Sequence, residues 1–150
     1  AYDAYACYMN ALGRDLRTSY SVTTVDGFRG STDARSALWL TPAESMELWQ
    51  GSEGLTVTNG ETEGAHTGIF YEERLTSADM YTVFLDGNHS LVRVKNPGKE
   101  GKLLVIRDSY GNCLGGFLAE SYGEVAITAA RYRSWCARSS LTISSFATTV

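Results

Sequence analysis

The stretch "GKLLVIRDSYGNCLGGFLAESYGEV", residues 101–125, decides how the rest of the chain is read. It leaves a charged turn, runs through the apolar residues 103–106, reaches Asp108 and Ser109, and then places Leu114, Phe117, Leu118 and Tyr122 at helical spacing. "EVAIT" follows as a strand. Strand, helix and strand in succession over 102–128 predict a βαβ unit with parallel pairing and a right-handed crossover. Ligand sites of such sheets form at the carboxyl ends of the strands, and Ser109 stands at one. A serine there admits two readings. As a nucleophile it stands clear of the sheet while the following helix turns N–H groups and its positive dipole end toward developing negative charge. As a helix cap it needs no further explanation, since serine and aspartate are ordinary N-cap residues. Gly115 and Gly116 are poor helix formers, so their presence in this helix predicts close approach to the sheet.

Working outward, "YTVFLDGNHSLVRVKNPGKEGKLLVIRDS" predicts strands at 81–85, 91–95 and 102–107, separated by "DGNH" and "NPGKEG". Gly87, Asn88 and His89 then fall at a strand end, and adjacency of that strand to 102–107 brings them to the same crevice as Ser109. Near the start, "AYDAYACYMNALG" reads as a helix with Tyr5, Tyr8, Met9 and Leu12 on one face and Gly13 as its stop. No N-cap precedes it, which suggests a chain that begins inside a longer protein. "YSVTTVDGF" reads as a strand, "TPAESMELW" as a short helix with Thr41 as N-cap, Pro42 at the first position and Glu44 in the capping box, and "GLTVTN" and "LTISSF" as strands. Residues 59–68 form a polar loop carrying His66, and "IFYEERL" is too short to classify.

The bulk composition bounds the function. With 150 residues, 43% hydrophobic and 20% charged, the chain is expected to form a single globular domain over residues 1–150. Its apolar runs fall far short of the roughly 20 residues that a bilayer crossing requires. A net charge of −4 argues against a nucleic-acid partner, which would be met by a basic face. "ARYRSWCAR", residues 130–138, alone concentrates positive charge and reads as a solvated segment. Cys7, Cys113 and Cys136 sit in no metal or redox spacing, and two isolated histidines add no zinc signature, so no metal and no cofactor are expected. The disulfide state of the three cysteines stays open.

The "RDSYGNCLGGFLAESYGEV" block resembles the Lys/Arg-Asp-Ser-Tyr-x-Asn segment of bacterial DHHW proteins, a branch of the SGNH hydrolase-like superfamily related to polysaccharide O-acetylation proteins. "FRGST" (28–32), "ESMELW" (44–49), "MYTVFLDGNHSLVRVKN" (80–96) and "ARYRS" (130–134) resemble that family's pattern in the same order, with 80–125 the specific part. The resemblance implies a flavodoxin-like, SGNH-like α/β sandwich with a mainly parallel sheet, here an incomplete domain. It implies an exported protein, extracellular or in the cell envelope, acting on polysaccharide or an acetylated glycan. Ser109 matches the nucleophile, and Asn88, following Gly87, matches the oxyanion element. One asparagine amide at an oxyanion is worth roughly 3 kcal/mol of barrier.

The family's Asp-His-His-Trp segment, which the resemblance makes the source of acid and base just before the first helix, has no counterpart in these residues. This chain then corresponds to the C-terminal part of such a protein. Serine needs an adjacent base, and the chain offers His66 and His89. His89 follows Asn88 and serves as base if its ring points to Ser109; otherwise it bonds loop backbone. His66 sits in a loop without a partner. Asp108 is assigned to support through backbone amides at the helix start, and Asn112 either bonds across the turn or is simply a polar first-turn residue. Arg131 and Tyr132 contact a sugar or fix the C-terminal segment.

Two functions are expected to compete. One is a serine esterase or O-acetyltransferase-type domain with acid and base outside the chain. The other is a non-catalytic carbohydrate-binding or envelope-assembly module, with Trp39, Trp49 and Trp135 available to stack on sugars. A second chain completing the fold is a third expectation.

Overall fold

The strand–helix–strand unit of 102–129 sits inside the sheet and places everything else. The structure is a computed structural model, and it describes residues 1–30, 42–60, 63–129 and, for their backbone, 142–145. In chain order these form helix α1 (Tyr2–Ala11), strands β1 (Ser21–Phe28), β2 (Glu44–Gln50), β3 (Thr56–Asn59) and β4 (His66–Thr67). Two 3-10 turns follow, Glu72–Thr76 and Met80–Val83, and then β5 (Leu91–Lys95), β6 (Lys102–Arg107), helix α2 (Gly111–Ala119), β7 (Glu124–Ala129) and β8 (Thr142–Ser145).

The main sheet has the order β4-β3-β5-β7-β6-β8. β6 runs parallel to β7 and to β8, whereas β3–β4, β3–β5 and β5–β7 are antiparallel. The expected mainly parallel, flavodoxin-like sandwich is therefore corrected to a mixed sheet, mostly antiparallel, with two α-helices among the described residues. Connection length is the reason. A parallel crossover needs a dozen or more residues, and β6–β7 has them through α2. Only residues 96–101 join β5 to β6, too few to carry the chain back along the sheet, so β6 leaves in the opposite direction and β7 fills the gap between them.

Two local expectations change as well. Residues 44–50 are a strand, not a helix, with Met46 and Leu48 buried at alternate positions. That period of two pairs β2 with β1, Val25 facing Met46 across the ribbon, and the apolar side joins Val83, Phe28, Phe70 and Phe84. Tertiary packing overrides a capping-box signal worth about 1 kcal/mol. Residues 80–83 are a 3-10 turn, because Thr82 bonds back to the Asp79 carbonyl through both its N–H (3.2 Å) and its hydroxyl (2.7 Å), drawing the backbone out of a ladder.

The core lies between the helices and one sheet face. Tyr5 and Met9 of α1 and Leu118 and Ala119 of α2 cluster with Val92, Val94, Leu103, Val105, Val125 and Ile127. Leu104 and Ala126 on the alternate positions are buried too, as central strands require. A Cβ on Gly115 would run into Ile127, so glycine lets α2 lie close on the sheet.

Candidate functional site

Ser109 occupies the loop between β6 and α2 and is exposed. Its neighbour Asp108 ties the helix start, its Oδ1 accepting the Tyr110 N–H at 3.1 Å while its carbonyl accepts the Gly111 N–H at 3.2 Å. The N-cap position falls on Tyr110, so the cap reading of Ser109 has no hydrogen bond behind it. Among the described residues neither the Ser109 hydroxyl nor its N–H has a hydrogen-bond partner.

Asn88 reaches this loop by a different route from the one expected. It does not end a strand; it lies just before β5 begins. Because β5 is antiparallel to β7, its first residue Leu91 pairs with Thr128, which in turn pairs with Ile106 near the end of β6. The start of one strand thus meets the carboxyl ends of two others. A turn in the left-handed region delivers the chain there, with φ of 56° at Leu85, 62° at Asp86 and 84° at Gly87. Two non-glycine residues in succession at positive φ carry strain that the surroundings must hold. Burial of the Leu85 side chain and the Asp86 carboxylate do so. The Asp86 carboxylate accepts from Arg74 Nε at 2.6 Å and lies 3.1 Å from His89 Nε2, which also approaches the Asp86 carbonyl at 3.1 Å. Gly87 supplies the third left-handed conformation, and its N–H is engaged with the Phe84 carbonyl at 3.1 Å.

The Asn88 side chain is held by two residues that flank Ser109 in the chain. Arg107 Nη1 donates to Asn88 Oδ1 at 2.6 Å, and Asn112 Nδ2 donates to the same oxygen at 3.2 Å and to the Gly87 carbonyl at 3.1 Å. With Oδ1 doubly occupied, the amide NH2 is the side of Asn88 left for another molecule, and it has no partner among the described residues. Arg107 is buried, its Nε and Nη2 have no hydrogen-bond partner among the described residues, and burial pulls its pKa below the ordinary guanidinium value, opposed by Tyr81 and Asp108. The Asn112 Oδ1 is likewise buried without a partner among the described residues. A Cβ on Gly111 would sit 2.6 Å from the Arg107 Cβ, so glycine at the helix start is what lets Arg107 pass beneath it. Tyr81 closes the floor, its hydroxyl 3.2 Å from the Tyr110 carbonyl and 3.3 Å from Cys113 Sγ. Burial pushes the Tyr81 phenol well above its ordinary value.

The structure therefore brings Asn88, Asp108, Asn112 and Ser109 to one end of the sheet. It keeps His66 elsewhere, where Nδ1 lies 3.1 Å from the Gly68 carbonyl and the ring stacks on Tyr71 at 3.8 Å. Arg107 and Asp86 escaped the sequence reading. The signal for Arg107 was a cation closing an otherwise apolar strand, "LLVIR". Trp39, Trp135, Cys136, Arg131 and Tyr132 lie outside the described residues. Cys7 and Cys113 are free thiols. Among the described residues no group of three or more His, Cys, Asp or Glu could hold a metal ion, and no helix is long and apolar enough to cross a membrane.

No protein-family model and no curated protein matches this sequence. Solved structures do. The crystal structure of a DHHW family protein from Eubacterium siraeum superposes with a TM-score of 0.78 at 21% identity, over 97% of this chain and 53% of that one. The chain has the fold of part of a DHHW family protein. Two structures of Bacillus cereus PatB1 agree, one with a sulfonyl adduct at a TM-score of 0.69 and 14% identity, the other at 0.63 and 13%. Each matches 97% of this chain and 55% or 58% of its own length. This chain spans little more than half of the structures that it resembles.

Proposed function

We propose that these residues carry the nucleophile and oxyanion donor of an exported SGNH-like serine esterase or O-acetyltransferase-type domain acting on cell-envelope polysaccharide. The observation that carries the reading is that the residues on both sides of Ser109, Arg107 and Asn112, hold the Asn88 oxygen and leave its amide NH2 open. In this reading Ser109 Oγ attacks the acetyl carbonyl carbon as a base removes its proton, and the carbonyl oxygen, now negative, accepts from Asn88 Nδ2 and the Ser109 N–H. Collapse breaks the ester C–O bond, the departing alkoxide takes up the proton, and the acetyl group rests on Ser109. Water or a sugar hydroxyl then accepts it. His89 Nε2 is engaged by Asp86, so we assign the base to a residue outside the described ones, a reading supported by the greater length of the similar structures. One of the similar PatB1 structures carries a sulfonyl adduct.

Replacing Ser109 by Ala in the full-length protein is expected to abolish hydrolysis of p-nitrophenyl acetate without lowering the melting temperature. Turnover equal to wild type, or none in wild type, would count against Ser109 as nucleophile. A non-catalytic glycan-binding module is the second reading, favoured by a cavity of about 330 Å3 bordered by Tyr2, Tyr20, Trp49 and Phe117. It predicts a change in tryptophan fluorescence on adding acetylated glycan that persists in the same variant.

A further inference from the structure

Arg107 is costly where it stands. A guanidinium buried in the protein normally finds a carboxylate, because removing a charge from water is repaid only by close, well-directed partners. Here the nearby carboxylates among the described residues go elsewhere: Asp86 to Arg74 and His89, Asp108 to the Tyr110 N–H. Arg107 instead spends its shortest bond, 2.6 Å, on the neutral amide oxygen of Asn88, with a second, 3.1 Å, to the Asp108 carbonyl, and Nε and Nη2 have no partner among the described residues. A leucine or methionine would fill the space beneath Gly111 without that penalty.

The arrangement makes sense as a device acting on Asn88. A cation donating to the amide oxygen draws electron density from the nitrogen and strengthens both N–H groups as donors, the cooperative polarisation of linked hydrogen bonds at low dielectric. The same bond, with that from Asn112, settles which way the amide faces, since an inverted Asn88 would set its NH2 against two donors.

Resting on the reading of Ser109 and Asn88 given above, we infer that Arg107 is a positioning residue for the reaction: it orients and polarises the Asn88 amide, with Asn112 as the second holder, rather than stabilising the fold. It acts through Asn88 and does not touch the substrate.

The test is a double-mutant cycle in the full-length protein with p-nitrophenyl acetate, read as kcat and KM separately. Asn88→Ala is expected to lower kcat about 100- to 1,000-fold, as loss of an oxyanion donor does. Arg107→Met should lower kcat about 10- to 100-fold with KM unchanged, Arg107→Lys should restore much of that loss, and in the Asn88→Ala background Arg107→Met should change kcat by less than about 3-fold. Equal losses from Arg107→Met with and without Asn88 would overturn the inference, as would a rise in KM alone. If Arg107→Met does not fold, the same cycle with Asn112→Ala takes its place under the same criterion. A readout free of turnover is the side-chain amide resonance pair of Asn88, identified by its loss in Asn88→Ala. It should move in Arg107→Met and keep its position in Arg107→Lys, and an unmoved pair in Arg107→Met contradicts the inference. Failure of the Ser109 reading looks different, because Ser109→Ala then retains wild-type turnover.

Discussion

A buried charged residue flanks helix α2 at each end, and the two ends are treated in opposite ways. At its C-terminal end Glu120 is buried, yet its carboxylate is met by the Ser52 N–H at 3.0 Å, the Ser52 hydroxyl at 2.6 Å and Arg17 at 3.4 Å. Just before its N-terminal end, in the last residue of β6, Arg107 is buried with two of its three nitrogens lacking a partner among the described residues. Both charges stand on the side of the helix dipole that disfavours them, an acid at the negative end and a base at the positive end. One is compensated until nothing is left over. The other directs its charge at Asn88, so the C-terminal end reads as built for stability and the N-terminal end, on the function proposed above, for chemistry.

The largest stability effect is expected at the satisfied end. Glu120→Ala removes a buried acceptor and strands the Ser52 donors, and urea unfolding should show a loss of about 3 kcal/mol. Arg107→Met should be far milder, within about 1 kcal/mol of wild type or above it, because an incompletely paired buried cation gives way to an apolar side chain of similar length. Comparable losses at the two ends would erase the contrast.

The smallest effect concerns alkaline pH. Burial and the neighbouring Tyr8 push Tyr122 up to about 12 from 10.0. A folded-state value raised above the unfolded one means that the unfolded chain ionises first, so its contribution is fully present below pH 10.0 and is lost as pH rises toward 12. Melting temperature followed between pH 9 and 12 should fall, and fall less steeply in Tyr122→Phe. Tyr20 and Tyr81, raised mainly by burial, add to the slope in the same direction.

The sequence carried more of the single elements than of the sheet that they build. Local patterns fixed α1, β5, β6 and α2 because each has its own periodicity and punctuation, such as Gly13 after α1 and the apolar residues 103–106 in β6. Strand direction is not local. The antiparallel setting of β5 follows from the six-residue link 96–101, a length visible in the sequence but outweighed by the βαβ pattern beside it. The capping signs at 41–44 were outvoted by the fit of Met46 and Leu48 against β1, a contact between segments some twenty residues apart. The meeting of Asn88 with the Ser109 loop was anticipated through the wrong geometry, a strand end where the chain has a left-handed turn and a strand start. A cation closing "LLVIR" is the one trace of Arg107 in the sequence, and it leaves open whether the guanidinium turns inward or out to solvent.

The most direct measurement is covalent labelling of the full-length protein with phenylmethanesulfonyl fluoride, followed by peptide mass mapping. One sulfonyl group on the peptide containing Ser109, absent in Ser109→Ala and formed more slowly in Arg107→Met, is the predicted result. A label on another residue, or equal labelling in Ser109→Ala, would contradict the placement of the nucleophile at the N-terminal end of α2.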